Sequence, residues 1–514
     1  MRARQHGGVR KRVRQNSPAS DSQFSPSFFA SAARERVACT AMKPARLAPL
    51  VAAAILAVPS LAAAGTLAVG PGKTYAAPCA AIAAAQAGDT IEVDAAGTYV
   101  GDVCAWKTDN LTLRSVNGRA KINAGGKNAQ GKGTWVIYAA NATIDGFEMF
   151  GQVLNTGDTN GAAIRHQGLN LTIRNSYFHD NQNGILGGPL NPDGSDASGK
   201  GIVRIERSEF SQNGVLNSGY EHNMYLNHYA EFWLVSSYSH DAKEGHLVKT
   251  RAAENHILYN RIWDGDNGTP SYEINVPDGG KTFIIGNVIE QNATTHNPNI
   301  ISYAEESRSN PDQSLFVINN TIVNRRSGGT FLVDAAPTPA VLKNNVFFGT
   351  GTVTAQASAL LANNSTTTNP GFVNLDGHDF HLVAGSELID KGADPGTGGG
   401  ISLLPTAQYV AVASQEGRSV AGAAIDIGAF ELGGGGPVVE ADGGVVVGTD
   451  GGAVVRDGGV VETDSGVTGD GGTPLTQSGD GDCSCTVHRA TGTTRVAGLA
   501  LLVVGLVAAR RRKR

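Results

Sequence analysis

A short pattern recurs through the middle of the chain: an apolar residue, any residue, an asparagine or small polar residue, then more apolar residues. It reads "TIRNSYF" around Asn175, "HILYNRIW" around Asn260, "FIIGNVIE" around Asn287, "FVINNTIV" around Asn320 and "VLKNNVFF" around Asn344. Weaker copies fall at Ser115, Gly146, Arg207 and Ser237. Neighbouring copies lie between 23 residues (Ser237 to Asn260) and 33 residues (Asn287 to Asn320) apart. A period of that size marks a solenoid. Within each repeat, two or three short runs rich in Val, Ile, Phe and Tyr predict strands, and no long helical period intervenes. One coil alone cannot bury its inward side chains, whereas stacked coils build a continuous apolar column. The predicted fold class is therefore all-β, a parallel β-helix. An asparagine at each tight bend would bond its copies above and below, so the recurring asparagines read as structural.

Both ends of the solenoid have their own pattern. In "PGKTYAAPCAAIAAAQAGDTIEVDAAGTY", residues 71–99, positions 77–87 suit a short helix ended by Gly88, and 89–93 alternate as a strand does. A helix there would cover the open edges of the first coil, which otherwise invite aggregation. This stretch resembles the N-terminal cap of right-handed parallel β-helix proteins of the pectate-lyase-like superfamily, and the match extends through the repeats to about Gly349. At the far end, "HDFHLVAGSELIDKGAD" from His378 and "AAIDIGAFE" up to Glu431 resemble the closing segment of bacterial surface β-helices that carry sorting signals. That segment reads as structure. The β-helix with its cap and closing segment is assigned to residues 65–432.

The flanks differ in kind. Residues 1–41 are Arg-rich and nearly free of acids; they read as a non-native or disordered extension before a later start, with a genuine basic arm as the alternative. Residues 42–64 have the order of a secretory signal peptide: Lys43 and Arg46, an apolar core from Leu47 to Val58, then Ala62-Ala63-Ala64. Residues 433–482 repeat Asp-Gly-Gly and hold nine Asp/Glu against one Arg, which predicts a disordered linker; calcium binding by its Asp-Gly pairs is the lesser reading. Residues 483–514 run Cys483-Ser484-Cys485, fourteen apolar residues from Val496 to Ala509, then "RRRKR". This ending resembles the MYXO-CTERM sorting signal of surface proteins. The resemblance implies a hydrophobic C-terminal helix held in the membrane, a sorting protease acting near Cys483 and Cys485, and display at the cell surface or outer membrane after export across the inner membrane. A plain C-terminal membrane anchor is the alternative.

Two observations on composition follow. Cys79 and Cys104 are the cysteines of the presumed folded part, and an oxidising compartment would allow them to pair. Residues 65–482 hold 24 Lys/Arg against 44 Asp/Glu, a net charge of −20, which argues against a nucleic-acid partner.

Candidate chemistry emerges when the central coils are laid over one another. "EHNMYLNH" from Glu221 aligns without a gap with "GHLVKTRA" from Gly245, stacking His222 on His246, Met224 on Val248 and Tyr225 on Lys249. In the next coil, "SYEINVP", Ile274 matches Val248. Alternation then sends Met224, Val248, Thr250 and Ile274 inward, and Tyr225, Lys249, Arg251, Glu273 and Asn275 outward. The opposite register would bury an unpaired lysine and arginine, at prohibitive cost. One coil on, "NIISYAEES" would add Tyr303 and Glu305. His222 and His246 share the inward phase and read as a satisfied stacked pair at a bend, before any substrate-binding role; zinc is a remote reading without a third ligand. His179-Asp180 and His240-Asp241 recur at equivalent places and read as turn chemistry.

Superfamily resemblance implies a polysaccharide partner and, for a cationic patch, β-elimination from an acidic sugar. That reaction removes the proton beside a uronate carboxylate and needs a base of lowered pKa and a cation on the carboxylate. The expected roles are Lys249 as base, depressed by Arg251 beside it; Arg251 as carboxylate clamp; Tyr225 as proton donor; and Glu273 as a partner of Arg251 or a calcium ligand. Three rivals stand beside this: a salt-bridge ladder of little energetic value, a non-catalytic adhesin or matrix protein using the same face, and a glycoside hydrolase using Glu273 and Glu305.

Overall fold

The computed structural model describes residues 64–437, except 155, 156, 158 and 267, together with the short strands Val446–Val447 and Ala453–Val454. The expected signal peptide (all but Ala64), the residues before it, most of the expected linker and the expected C-terminal sorting segment lie outside the described residues. Three parallel sheets make up most of the described chain. The first has twelve strands from Thr66–Val69 to Leu360–Ala362; the second has ten, from Cys104–Trp106 to Thr352–Thr354; the third has ten, from Tyr99–Val100 to Val346–Gly349. The chain visits them in rotation. Glu231–Val235 lies on the first sheet, Tyr238–His240 on the third and Val248–Thr250 on the second; Glu254–Leu258 then returns to the first. This is a parallel β-helix, in which every strand pairs with its counterpart one coil away.

The apolar column comes from alternation. Ile144, Ile173, Ile205, Leu234, Ile257 and Ile284 lie in register on the first sheet and are fully buried. Burial of each such side chain is worth about 1.5–3 kcal/mol. At the bend between the first and third sheets, backbone N–H groups donate to the side chain one coil on: Ser237 to Asn260 Oδ1 (2.8 Å), Asn260 to Asn287 Oδ1 (2.9 Å), Asn287 to Asn320 Oδ1 (2.9 Å) and Asn320 to Asn345 Oδ1 (2.9 Å). The repeat therefore stands as expected at Ser237, Asn260, Asn287 and Asn320, but its centre shifts by one residue at Asn175, Arg207 and Asn344. Ser176, Ser208 and Asn345 carry the ladder, while Asn175, Arg207 and Asn344 occupy the left-handed position just before it (φ 50°, 45° and 57°). Each bend needs one left-handed residue and then one inward polar side chain, and paired polar residues hide which is which.

Helix Pro78–Ala84 caps the first coil, burying Pro78, Ala81 and Ile82, and Cys79 is disulfide-bonded to Cys104. At the other end, antiparallel hairpins fold back along the solenoid; Leu403 packs on Phe283 and Ile318, and Phe430 joins a cluster with Val288 and Val323. The "DIGAFE" segment is structural, as its pattern suggests. Glu431 forms a buried ion pair with Arg418 (3.2 Å) and accepts the Asp426 N–H (3.0 Å), while Asp426 accepts N–H bonds from Asp390 and Leu432 (both 2.8 Å). Among the described residues, no helix is long and apolar enough to cross a membrane.

Candidate functional site

Four adjacent strands of the second sheet build the site: Met224–Leu226, Val248–Thr250, Ile274–Val276 and Asn299–Tyr303. Tyr225 lies opposite Lys249, Lys249 opposite Asn275, and Asn275 opposite Ser302. Met224, Val248, Thr250 and Ile274 are fully buried, as the alternation requires. Successive strands sit ~4.8 Å apart, so four residues distant in sequence form one outward row.

Lys249 Nζ lies 5.2 Å from the centre of the Tyr225 ring and 3.5 Å from Glu306 Oε1. Arg251 follows the strand and closes over the same tyrosine: its Nε donates to the Tyr225 hydroxyl (2.8 Å), Nη1 pairs with Asp278 (2.5 Å) and Nη2 pairs with Glu306. Asp278 also takes the Ser307 hydroxyl (2.9 Å) and contacts His228 Nε2 (3.0 Å). The 305–313 segment thus lies over the cations: Glu306 bridges both, and Asn310 reaches the Ala252 carbonyl (3.2 Å). Only 11% of the Lys249 side chain and 15% of the Arg251 side chain remain exposed.

The electrostatics follow from that enclosure. Burial pulls the Lys249 ammonium below the usual lysine range; Glu306 opposes the shift and Arg251 adds to it. The expected direction holds, but desolvation outranks the like charge as its cause. For Arg251, burial acts downward and is outweighed by Glu306, Tyr225 and Asp278, leaving it raised. Burial would raise Glu306, yet the bond from Arg251 and the charge of Lys249 hold it below the usual carboxylate range.

His222 and His246 form a stacked pair, with ring centres 4.8 Å apart and planes 18° from parallel. His222 Nδ1 accepts the His246 N–H (2.9 Å), and His246 Nδ1 accepts the Tyr272 N–H (3.3 Å). Each neutral imidazole therefore carries its proton on Nε2. The bend places this pair beside the outward row, not in the inward phase expected from strict alternation. The His222 ring meets Tyr225 edge-on at 5.5 Å. Burial, then Lys249 and Arg251, hold His222 down to about 3; burial, then His222 and Lys249, lower His246 as well.

Two expected site residues are not there. Glu273 is fully buried with Asp264, and Gln291 Nε2 lies 3.5 Å from its Oε2. It precedes a strand of only three residues, so the bend, not the alternation, sets its direction. A role as partner of Arg251, calcium ligand or hydrolase carboxylate in an open groove does not fit that position. Tyr303 is likewise in the core: it lies opposite Val276, and its hydroxyl donates to the Gly280 carbonyl (2.8 Å). Ser302 holds the outward place instead. Glu305 does reach this face, accepting from Ser302 (2.6 Å) and Tyr272 (3.1 Å), and Asn275 donates to Ser302 (3.2 Å). Asp278, Glu306, Tyr272 and Ser302 were not singled out from sequence. Only the neighbourhood of Glu306 and Ser302 to Tyr303 and Glu305 in "NIISYAEES" pointed towards them. Among the described residues, no group of three or more His, Cys, Asp or Glu is placed to hold a metal ion.

No family model matches the chain, and no curated protein matches it. Among solved structures, the crystal structure of pectate lyase Pel9A is similar at a TM-score of 0.46 and 16% identity, over 68% of this chain and 90% of that one.

Proposed function

We propose that the outward row of the second sheet binds an acidic polysaccharide and cleaves it by β-elimination. The observation that carries this reading is Glu306, a carboxylate held between Lys249 and Arg251. A uronate carboxylate of the substrate takes the place of Glu306 against the Arg251 guanidinium, exchanging one ion pair for another. Lys249, in its neutral form, accepts the proton from the carbon beside that carboxylate. The electron pair forms the new double bond, the bond to the 4-linked sugar oxygen breaks, and the Tyr225 hydroxyl donates its proton to the departing oxygen. Tyr225 is oriented for this because its oxygen already accepts from Arg251 and keeps its own hydrogen for donation. Glu305, Ser302 and Asn275 contact the neighbouring sugar.

A second reading is a non-catalytic glycan-binding platform, favoured by the Asp278–Arg251–Glu306 network that holds the cations without substrate. Both readings go with a protein exported by its N-terminal segment and displayed at the surface through its C-terminal segment after sorting. Incubation with a panel of uronate polymers, followed by absorbance of the unsaturated product, separates the two. Product that disappears in Lys249→Ala supports elimination. Binding without product from any polymer leaves only the platform.

A further inference from the structure

The outer face of the third sheet carries a separate run of rings that the proposed elimination does not use. Phe178, Phe210, Ser239 and Ile262 point inward and are buried, so their neighbours flank them on the outside. There Tyr177 stacks on His179 (4.4 Å) and Tyr238 on His240 (3.9 Å), and the Arg261 guanidinium lies 5.0 Å from the Trp263 ring. The His-Asp pairs do more than close turns: His179 bridges Asp180 (2.9 Å) and Glu148 (3.4 Å), and His240 bridges Asp241 (2.6 Å) and Glu209 (3.1 Å). These contacts hold the imidazoles against the tyrosines.

The run ends in a cavity of about 430 Å³ between the sheet and the closing segment, lined by Tyr238, Arg261, Trp263, His378, Phe380 and Tyr409. Arg261 is 6% exposed; its Nη2 pairs with Glu290, but its Nη1 has no acceptor in the protein. The indole Nε1 of Trp263 also has none. Both groups are donors only, and a buried donor without an acceptor is costly. Glu290 is shared between Arg261 and Arg325, and Glu209, Asp241 and Asp379 stand around the same face, so the carboxylates outnumber the guanidiniums and an anion meets net repulsion there. The two donors are themselves closed off from the cavity, so the ligand is selected by the aromatic lining and the surrounding carboxylates: it offers apolar ring faces to the aromatics and carries no negative charge.

We propose that this cavity is a second carbohydrate site, selective for a neutral sugar unit stacked on Trp263 and Tyr409, on a different sheet from the cationic row. The chain then grips uncharged and acidic glycans at separate faces. The test is titration of the full chain with neutral oligosaccharides of glucose, mannose, xylose and galactose, and with uronate oligosaccharides, followed by tryptophan fluorescence and calorimetry. The chain holds four tryptophans, of which Trp106 and Trp135 are in the core. At least one neutral oligosaccharide binds saturably with a fluorescence change. Trp263→Ala and Tyr409→Ala each weaken it about ten-fold or more, and Trp263→Ala leaves binding of uronate polymer unchanged. Trp263→Phe, which keeps a ring, retains most of the affinity, and circular dichroism controls for folding. The proposal is overturned if no neutral oligosaccharide binds, if uronates alone produce the signal, or if folded Trp263→Ala and Tyr409→Ala bind as the parent does.

Discussion

Lys249 is subject to two opposed influences, and both come from the same enclosure. Burial lowers its proton affinity and Glu306 raises it. Under the proposed elimination, replacing Lys249 with alanine removes the proposed base, so product formation should fall by about a hundred- to ten-thousand-fold, while polymer binding through Arg251 should persist; initial rates against affinity measure the split. Glu306→Gln removes the opposing charge and the competitor for Arg251. The ascending limb of the pH–rate profile then moves to lower pH and the KM for acidic polymer falls. A limb that stays or moves upward would mean that Lys249 is not the titrating group. The Tyr225–Lys249 stack was legible in the sequence because only one register spares two cations from the core. Glu306 was not, because a loop residue carries no period and reaches Arg251 across 55 positions of chain.

At the level of the coil, the bends decide more than the strands. Asn287 shows why: its amide donates to the Ile257 carbonyl (2.7 Å) and to Asn320 Oδ1 (3.0 Å), while its own Oδ1 accepts the Asn260 N–H (2.9 Å). Asn287→Ala strands several buried groups at once, at a cost on the order of 2–4 kcal/mol. A urea denaturation midpoint well below that of the parent checks this, and an unchanged midpoint would show that water replaces the amide. Asn175→Ala, on the exposed left-handed position, has a smaller effect by the same measurement. The ladder's existence was readable from the repeated "N" before apolar runs. Its register was not readable at "NN" or "RNS", where adjacent polar residues take two different jobs. The same limit explains Glu273, whereas Tyr303 keeps the alternation, opposite the inward Val276. Alternation holds for the three residues of Ile274–Val276 and fails where the chain turns, and a tyrosine whose hydroxyl finds a carbonyl inside the column counts as core.

For the solenoid as a whole, buried titratable groups bound its stable range from both sides. His166 and His222 are held at about 3 and His256 at about 4, chiefly by burial, against about 6.5 unfolded. Their contribution is fully present above the unfolded value and is lost as pH falls towards those folded values, because the unfolded chain then binds protons that the folded one refuses. Glu273 and Asp264 act in the other sense. Burial raises both above the usual carboxylate range; the charge of Asp264 adds to the shift of Glu273, and the charge of Glu290 adds to that of Asp264, which the hydrogen bond with Glu273 opposes. Glu273 Oε1 and Asp264 Oδ1 have no other hydrogen-bond partner, which fits one proton shared by the pair. The folded state therefore holds a proton that the unfolded chain releases near pH 4, and this stabilisation is lost as pH rises from there through the folded pKa. Glu273→Gln keeps the shape and donates a hydrogen without titrating. Melting temperature against pH should thus show the variant close to the parent at pH 4 and above it at pH 8, with the acid limb set by the histidines unchanged. Curves for parent and variant that run parallel across the range would mean that the two carboxyls do not share a proton, and the alkaline loss would have to come from other buried groups.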